Sequence, residues 1–346
     1  MPNDFATSIS FIHRTEDNMK KIGILYGWER SFPAAFVERV NSKQVDGIIA
    51  EPVQISQVRQ AESTGYSVII DRISQDVPFF RAFLKNEASA GTAVINNPFW
   101  WSADDKFFNN ALAVKVGVPV PKTVILPSRD HPTDTKAESF SNLAFPLDWE
   151  SMFQYIGWPA FMKPFAGGGW KHVYKLDSAN DFFAKFGETG QLVMLLQEAI
   201  EFDAYFRVYC IGAKHVRIMH YEPRNPHHLR YSAQHKVSEE LLKTIEEYTI
   251  RLNVALGYDF NTVEFAIRDG IPYAIDFGNP APDADRHSVG DENFEWVLEH
   301  SAQYAIERAL AHQEGGDNLT WGTFVQRSAG ANMAAPAPKK AAAKKK

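Results

Sequence analysis

The chain has 346 residues, of which 45% are hydrophobic, 13% aromatic and 23% charged, and its formal net charge is −6. This length supports two or three packed units around one cleft. The acidic balance excludes a general nucleic-acid binder for the body of the chain. The single cysteine, Cys210, excludes an intrachain disulfide and a thiolate metal cage, and its apolar neighbours predict a buried thiol.

No apolar run approaches the ~18 to 20 residues of a membrane span, and residues 1–18 lack the apolar core of a signal peptide. We therefore expect a cytoplasmic protein with no membrane segment and with residues 1–19 as a flexible arm. Residues 328–346 are rich in Ala, Pro and Lys, which predicts a disordered tail. Such a basic tail suits weak contact with nucleic acid or an acidic partner, and a solubilising tail with no partner is an equal alternative.

The N-terminal part of the sequence alternates short apolar strands with helical patterns, which predicts a parallel α/β sheet of Rossmann-like kind. The predicted strands are residues 21–26, 45–49, 67–70 and 94–96, and the first predicted helix is 33–40. No G-x-G-x-x-G follows the first strand, so a dinucleotide site is not supported. Trp28, Glu29 and Arg30 follow that strand, where such sheets bind ligands, and they are predicted substrate contacts.

A helix is predicted from 102 to 116, with Ser102 as its N-cap and Gly117 as its end. A polar loop is predicted at 128–142. The later part predicts a mixed α+β pattern, with strands at 123–126, 160–165, 170–176, 192–197, 206–211, 262–267 and 273–277 and helices at 178–186, 238–256 and 293–312.

The carboxylates Glu264 and Asp276 each lie, by strand alternation, on a face of small residues opposite a bulky apolar face. A two-residue Asp269-Gly270 turn would place apolar residues opposite the acids. A three-residue loop with Gly270 in the left-handed conformation instead places Glu264 directly opposite Asp276 and matches the apolar faces. We expect this second register.

Two like charges ~5 Å apart across paired strands destabilise a sheet, and a bound divalent cation removes that repulsion. Asn279 offers a third oxygen just beyond the second strand. Oxygen ligands, few in number, suit Mg²⁺ held jointly with nucleotide phosphates. From the hairpin alone, a solvent-facing polar strand face is an equal alternative.

Lys163 ends a predicted strand shortly before three glycines, Gly167, Gly168 and Gly169. A glycine loop brings backbone N–H groups against phosphate oxygens, and a lysine adds a point charge. No Walker A sequence is present, so taken alone this segment is also typical of an ordinary glycine turn. Lys106, taken alone, is typical of a solvated helix lysine.

The apolar strand at 192–197 turns polar at Glu198, which leaves backbone donors and acceptors beside acids. This arrangement suits an adenine edge and a ribose, although the same pattern ends many strands.

The order of these features resembles the ATP-grasp superfamily, and within it the RimK and glutathione-synthase type of carboxylate–amine ligase. The shared order, over residues 20–311, is an asparagine-rich strand end, Asp-Lys in a helix, Gly-Val-Pro-Val-Pro, Lys-Pro with glycines, Gln-Glu-x-Ile, Arg-Val, an acid, and acid-x-x-Asn. The resemblance implies an ATP-grasp fold of α/β and α+β class with an N-terminal Rossmann-like domain (pre-ATP-grasp domain) at 20–122. It also implies a lobe with the glycine loop at 123–202 and a lobe with the metal site at 203–315.

Carried over by position, the resemblance implies a role for each candidate residue. Lys106 and Lys163 resemble phosphate-contacting lysines, and Gly167, Gly168 and Gly169 resemble a loop that covers the phosphates. Glu198 and Ile200 fall at the hinge that contacts adenine, Ile200 through its backbone, and Asp203 is preferred over Glu201 at the ribose. Arg207, Arg230 and Lys163 match catalytic positions, and Glu264, Asp276 and Asn279 match metal ligands.

The sequence departs from the family at two points. Asp276 stands where glutamate is common, and a shorter acid moves the ion or limits bidentate binding. The arginine often found after the strand at 216–219 is replaced by His220 and Tyr221, and Arg224 or Arg230 would serve instead. Five histidines crowd this region, at 215, 220, 227, 228 and 235, and polar substrate contacts or plain surface are favoured over a metal site.

The resemblance implies an ATP- and Mg²⁺-dependent, ADP-forming ligase, with two metal ions and Mn²⁺ as an alternative. Small-molecule or peptide carboxylates and amines are the expected substrates, and a homo-oligomer is open. A small-molecule kinase and a non-catalytic nucleotide-binding scaffold are the alternatives.

Overall fold

The computed structural model describes residues 19–99, 105–168, 170–232 and 234–313, and for His227 and Ser232 it describes the backbone alone. Residues 1–18 of the predicted arm, Ser102, Gly169 and the predicted tail lie outside these residues. The described residues form three four-stranded sheets.

The first sheet is parallel, as predicted, with strand order β2-β1-β3-β4. Its strands are β1 (Lys20–Leu25), β2 (Ile48–Pro52), β3 (Tyr66–Asp71) and β4 (Ala93–Ile95), connected by helices α1 (Ser31–Ser42) and α2 (Pro78–Ser89). β2 begins three residues later than predicted, because Gly47 turns the chain with a φ of 71°. Helix α2 was not predicted.

Helix α3 (Lys106–Lys115) leads out of the first sheet and packs against the third. It begins later than predicted, after Asp105, whose carboxylate accepts a hydrogen bond from Phe108 N–H. The cap therefore comes from the carboxylate adjacent to Lys106.

The second sheet is antiparallel, in the order β5-β8-β6-β7. Its strands are β5 (Thr123–Leu126), β6 (Ala160–Pro164), β7 (Tyr174–Leu176) and β8 (Met194–Glu198), and its helices are α4 (Trp149–Ile156) and α5 (Ala179–Phe186). Trp149 and Phe153 of α4 pack against Phe182 of α5 in its core. The predicted polar loop contains a short 3-10 helix, Ala137–Phe140.

The third sheet is antiparallel, in the order β10-β9-β11-β12. Its strands are β9 (Ala204–Ile211), β10 (His215–His220), β11 (Phe260–Arg268) and β12 (Ile271–Asp276), with the 3-10 helix His227–Ser232 and helix α6 (Glu239–Leu256). The helix predicted at 238–256 is present as α6, which is capped by Ser238 and ends at left-handed Gly257. Cys210 is fully buried, as predicted, and burial raises the pKa of its thiol to about 12.

Helices α7 (Arg286–Val289) and α8 (Asp291–Ala311) return the chain to the first sheet. Phe294 and Val297 of α8 share a buried core with Ile22 and Phe36. The chain after β12 therefore lies between the third sheet and the first. Among the described helices, none has the length and apolar character needed to cross a membrane.

Candidate active site

The β11–β12 hairpin has a different turn from the one predicted. Arg268 pairs with Ile271, so Asp269 and Gly270 alone form the turn, with φ values of 54° and 72°. Asp-Gly accommodates two consecutive left-handed residues, and the twist of that turn matches the twist of the strands. The expected three-residue loop is wrong.

A β-bulge nevertheless brings the two acids together. Phe265 pairs with Ala274 and Glu264 pairs with Asp276, which makes Ile275 the extra residue. The predicted opposition of Glu264 and Asp276 is therefore confirmed. Strand alternation predicts that Ala274 shares the face of Asp276, and this is wrong, because Ala274 is fully buried in the core behind the sheet.

Glu264 is held by two side chains of β9. Tyr205 donates its hydroxyl to Glu264 Oε2 at 2.7 Å, and Arg207 Nε lies 3.8 Å from Oε1. Burial raises the pKa of Glu264, with Arg207 opposing the rise and Asp276 adding to it. Arg207 also donates to Tyr231 Oη at 3.2 Å, while its buried Nε has no hydrogen-bond partner among the described residues.

Asp276 faces two lysines from other elements. Lys106 Nζ lies 3.7 Å from Asp276 Oδ1. Partial loss of hydration opposes ionisation of Asp276, but Lys106, Lys163 and Arg207 outweigh it and lower the pKa of this carboxyl. Desolvation is the main reason that the pKa of Lys163 is lowered to about 8. Repulsion from Lys106 also lowers this pKa, whereas the attraction of Asp276 raises it.

Asn279 follows β12 and is oriented by β11. Its backbone N–H donates to Asn261 Oδ1 at 3.0 Å, and its Nδ2 donates to Thr262 O at 2.9 Å. Because Nδ2 is used in this way, Oδ1 is the amide atom left for a ligand. Two opposed carboxylates and this amide oxygen form a donor set that fits a hard divalent cation.

The predicted glycine loop connects β6 and β7 beside the start of α3. Lys106 N–H donates to Phe165 O at 3.0 Å, which anchors the first part of the loop. Gly167 has a φ of 88°, and open space surrounds the Cβ positions of Gly167 and Gly168. The described part of the loop therefore has room above it, next to Lys106 and Lys163.

The predicted adenine hinge lies where β8 leaves the second sheet for the third. Glu198 pairs with Arg268 at 2.7 Å, so its carboxylate is committed to β11. Ile200 is nearly buried, in a cluster with Tyr205 and Ile275, and its N–H has no backbone partner among the described residues. Asp203 is exposed, and its N–H donates to Ile267 O at 3.0 Å.

Two arginines and the histidines extend the site beyond β10. Arg230 donates to Tyr221 Oη at 3.4 Å, and its charge acts on Glu264. Arg224 is exposed and paired with Glu222. His235 N–H donates to His220 Nδ1 at 3.0 Å. No group of three or more His, Cys, Asp or Glu side chains forms a metal cage in the described chain.

A cleft of about 530 Å³ opens between the first sheet and the chain after β12. Trp28 and Arg30 line it and are exposed, as is Asp76. Glu29 is instead fixed by a bidentate ion pair with buried Arg72, at 2.9 and 2.6 Å. Of the three predicted substrate contacts, two are thus available and the third is an anchor.

Comparisons with known proteins gave matches only at the level of structure. No protein-family model and no curated protein sequence matches the chain. A RimK domain ATP-grasp protein from Sphaerobacter thermophilus is 16% identical and has a TM-score of 0.58, covering 83% of this chain and 99% of that chain. The VanG D-Ala:D-Ser ligase from Enterococcus faecalis is 13% identical, with a TM-score of 0.58, and the match covers 84% of this chain and 99% of that chain. The ATP-grasp ligase PsnB, solved with its precursor peptide and AMPPNP, is 16% identical, with a TM-score of 0.53, and the match covers 83% of this chain and 97% of that chain.

The chain has the ATP-grasp fold. The fold implied by the sequence resemblance is therefore confirmed. At these identities the likeness shows the fold alone.

Within the ATP-grasp fold of this chain, three side chains beside the candidate residues were missed by sequence reasoning. Tyr205 binds Glu264, Arg72 binds Glu29, and Arg268 binds Glu198. Tyr205 had a usable signal, because it lies two residues before Arg207 on one strand and so shares its face. Arg72 and Arg268 had none, since their partners are distant in sequence.

Proposed function

We propose that this protein is an ATP-dependent, Mg²⁺-requiring ligase that activates a carboxylate as an acyl phosphate and couples it to an amine, releasing ADP. The observation that carries this proposal is the opposed pair Glu264 and Asp276, with two lysines facing Asp276. Asn279 is hydrogen-bonded to Thr262 O, two residues before Glu264. Paired acids surrounded by cations suit a polyphosphate bridged to the protein by metal.

The reaction needs two displacements. A substrate carboxylate oxygen attacks the γ-phosphorus, the bond to ADP breaks, and an acyl phosphate forms. An amine then attacks the acyl carbon, phosphate leaves, and the amine loses a proton. Bound Mg²⁺, proposed as two ions with Mn²⁺ as an alternative, supplies charge neutralisation at the phosphates.

The chain's own residues position the reactants and stabilise charge. Lys106 and Lys163 bind phosphate oxygens, and Gly167 and Gly168 let backbone N–H groups approach them. We assign Gly169 the same role by its sequence position. Arg207 lies against Glu264, and its positive charge suits the developing charge on the transferred group. Arg230 is assigned to the same anionic region, and no covalent enzyme nucleophile is required.

The nucleotide base belongs at the hinge in this proposal. The backbone groups of Glu198 and Ile200 bind the edge of adenine. The side chain of Glu198 is not used for this, because its carboxylate is paired with Arg268. The apolar cluster around Ile200 and Tyr205 provides a surface for the base. Asp203 is exposed at the start of β9, where it can reach a ribose.

The cleft beside Trp28 and Arg30 is the proposed site of the carboxylate and amine substrates, either small molecules or peptides. Its volume is within the usual range for ligand pockets. Among the neighbours, VanG is a D-Ala:D-Ser ligase and PsnB was solved with a precursor peptide. We also propose that the protein is cytoplasmic. Its domains are proposed to be an N-terminal domain at 20–122, a glycine-loop lobe at 123–202 and a metal-site lobe at 203–315.

The test is an ADP-release screen across amino acids and short peptides with Mg²⁺, run with hydroxylamine as a trap. A ligase gives ADP together with a hydroxamate, because hydroxylamine captures the acyl phosphate. A kinase gives ADP with a stable phosphorylated product and no hydroxamate. A protein that binds ATP but releases no ADP with any substrate would be a scaffold, and the ligase proposal would be wrong.

A further inference from the structure

The chain between Asn279 and Asp283, here called the crossing segment, connects the candidate metal site to the substrate cleft. Its sequence is Asn-Pro-Ala-Pro-Asp, so two of its five residues have no backbone N–H. The backbone pairing of β11 with β12 ends at Glu264 and Asp276, before this segment begins. The segment therefore depends on other groups for its position.

Side chains supply the missing hydrogen bonds. Within the crossing segment, three carbonyls accept from side chains of β9 and of the C-terminal ends of β3 and β4. The pairs are Pro280 O with Asn96 Nδ2 at 2.9 Å, Pro282 O with Arg72 Nη2 at 2.8 Å, and Asp283 O with Tyr209 Oη. The first sheet thus holds the segment at two of these three points.

Asn96 uses its whole side chain in this contact. Besides Pro280 O, its Nδ2 donates to Phe260 O at 2.7 Å, and its Oδ1 accepts from the N–H groups of Asp259 and Phe260 at 2.8 Å each. The side chain is buried, with 5% exposure. One amide therefore ties the beginning of β11 to the chain that leaves β12.

A second amide continues this connection to the candidate metal ligand. Asn261, fully buried, donates to Phe277 O at 2.8 Å and accepts from Asn279 N–H. The two open ends of the hairpin are thus joined by Asn96 and Asn261, where the backbone ladder has stopped. Glu264 and Asp276 lie between these ties and the turn, and Asn279 is itself held by Asn261.

We propose that Asn96 is a positioning residue for metal binding: the first sheet, through this amide, fixes the spacing between β11 and Asn279. This inference rests on the proposed function, since it requires that Glu264, Asp276 and Asn279 hold the metal. Asn96 itself is placed away from the metal, because all of its polar atoms are committed to backbone groups. Partners of this kind, behind the ligands, change metal affinity by about 10- to 100-fold when they are removed.

The informative variant is Asn96→Asp, which keeps the size of the side chain and its accepting oxygen. It replaces Nδ2 by an oxygen that faces the carbonyls of Phe260 and Pro280. The two hydrogen bonds that Nδ2 donates are therefore lost, and the new oxygen repels both carbonyl oxygens. Asn96→Ser removes the hydrogen bond to Pro280 O without burying a charge. It is the variant to use if the aspartate variant does not fold. Asn253→Asp is the matched control, because Asn253 is also fully buried and its Nδ2 donates to a carbonyl, Thr249 O, within α6.

The experiment measures Mn²⁺ binding to the full chain in the presence of AMPPNP, by the EPR signal of free Mn²⁺. AMPPNP binding in EDTA is measured separately. We expect Asn96→Asp to weaken Mn²⁺ binding about tenfold or more, with AMPPNP binding in EDTA changed less than about twofold. Asn253→Asp should lower the melting temperature and leave Mn²⁺ affinity within about twofold of wild type.

Three outcomes would overturn the inference. Unchanged Mn²⁺ affinity in a folded Asn96→Asp or Asn96→Ser protein would show that the amide does not position the ligands. Equal loss in the Asn253 control would reduce the effect to general destabilisation. A wild-type protein that binds AMPPNP but no Mn²⁺ would remove the metal site, and with it the proposed function, which distinguishes that failure from a failure of Asn96 alone.

Discussion

Lys163 carries its charge in surroundings that oppose it. Desolvation lowers its pKa from 10.5 to about 8, although Asp276 and Glu264 attract the ammonium group. Between pH values of about 8 and 10.5, residue 163 is more often protonated in the unfolded chain than in the folded chain. The cost of holding Lys163 charged is therefore present at pH 7, and it is relieved as the pH rises from about 8 towards 10.5.

We expect Lys163→Met to retain or raise the melting temperature of the ligand-free protein at pH 7, because it removes a desolvated charge. The same change should weaken binding of AMPPNP with Mg²⁺ by about tenfold or more, since a charge-assisted phosphate contact is lost. Calorimetric titration and thermal melts of one preparation measure both effects. Lys175→Met, at an exposed lysine on neighbouring β7, is the control. Wild-type nucleotide affinity in Lys163→Met would contradict the phosphate role.

Asp276 differs from Lys163 because its charge is already compensated in the ligand-free protein. Lys106 and Lys163 lower its pKa, so the repulsion from Glu264 is partly neutralised before any cation binds. We expect Asp276→Asn to lower the ligand-free melting temperature slightly and to reduce ADP release about 100-fold or more. Asp269→Asn at the hairpin turn makes the same chemical change away from the acids and should keep full activity. Unchanged turnover in Asp276→Asn would exclude this acid as a metal ligand.

The β11–β12 hairpin is the element on which the proposed metal site depends. Gly270 has a φ of 72°, and nothing lies within 4 Å of the position that a Cβ atom would occupy, so an added methyl group strains the backbone alone. We expect Gly270→Ala to lower the free energy of unfolding by roughly 1 kcal/mol, measured by urea denaturation. Gly168→Ala, in open space and without a positive φ, should leave it unchanged. Equal effects in both variants would contradict the turn geometry.

At the scale of the whole molecule, nucleotide binding at the hinge and the candidate metal site should raise the stability of the fold. We expect ATP with Mg²⁺ to raise the melting temperature, because a ligand that binds only the folded state adds ~2.7 kcal/mol at 100 times its Kd. ATP with EDTA should give a smaller rise, since the acids then lack a cation to join them to the phosphates. No shift at millimolar ATP with Mg²⁺ would count against the proposed function.

Local patterns in the sequence determined much of this molecule. The parallel first sheet, the caps of α5 and α6 and the burial of Cys210 follow from hydrophobic period, capping residues and apolar neighbours, which act over a few positions. The opposition of Glu264 and Asp276 was also predicted, although the turn was wrong and a bulge at Ile275 restored the register. Alternation constrains the face of a residue, but it does not reveal where a strand gains an extra residue.

The tertiary structure alone decided which distant groups meet. Lys106 lies beside Asp276 although the two are far apart in the sequence, and Asn96 and Arg72 hold a segment that follows β12. Such contacts depend on how three sheets pack together, which no local pattern encodes. The sequence by itself determined the kinds of groups available for phosphate and metal, and the packing of the sheets decided their partners, charges and spacing.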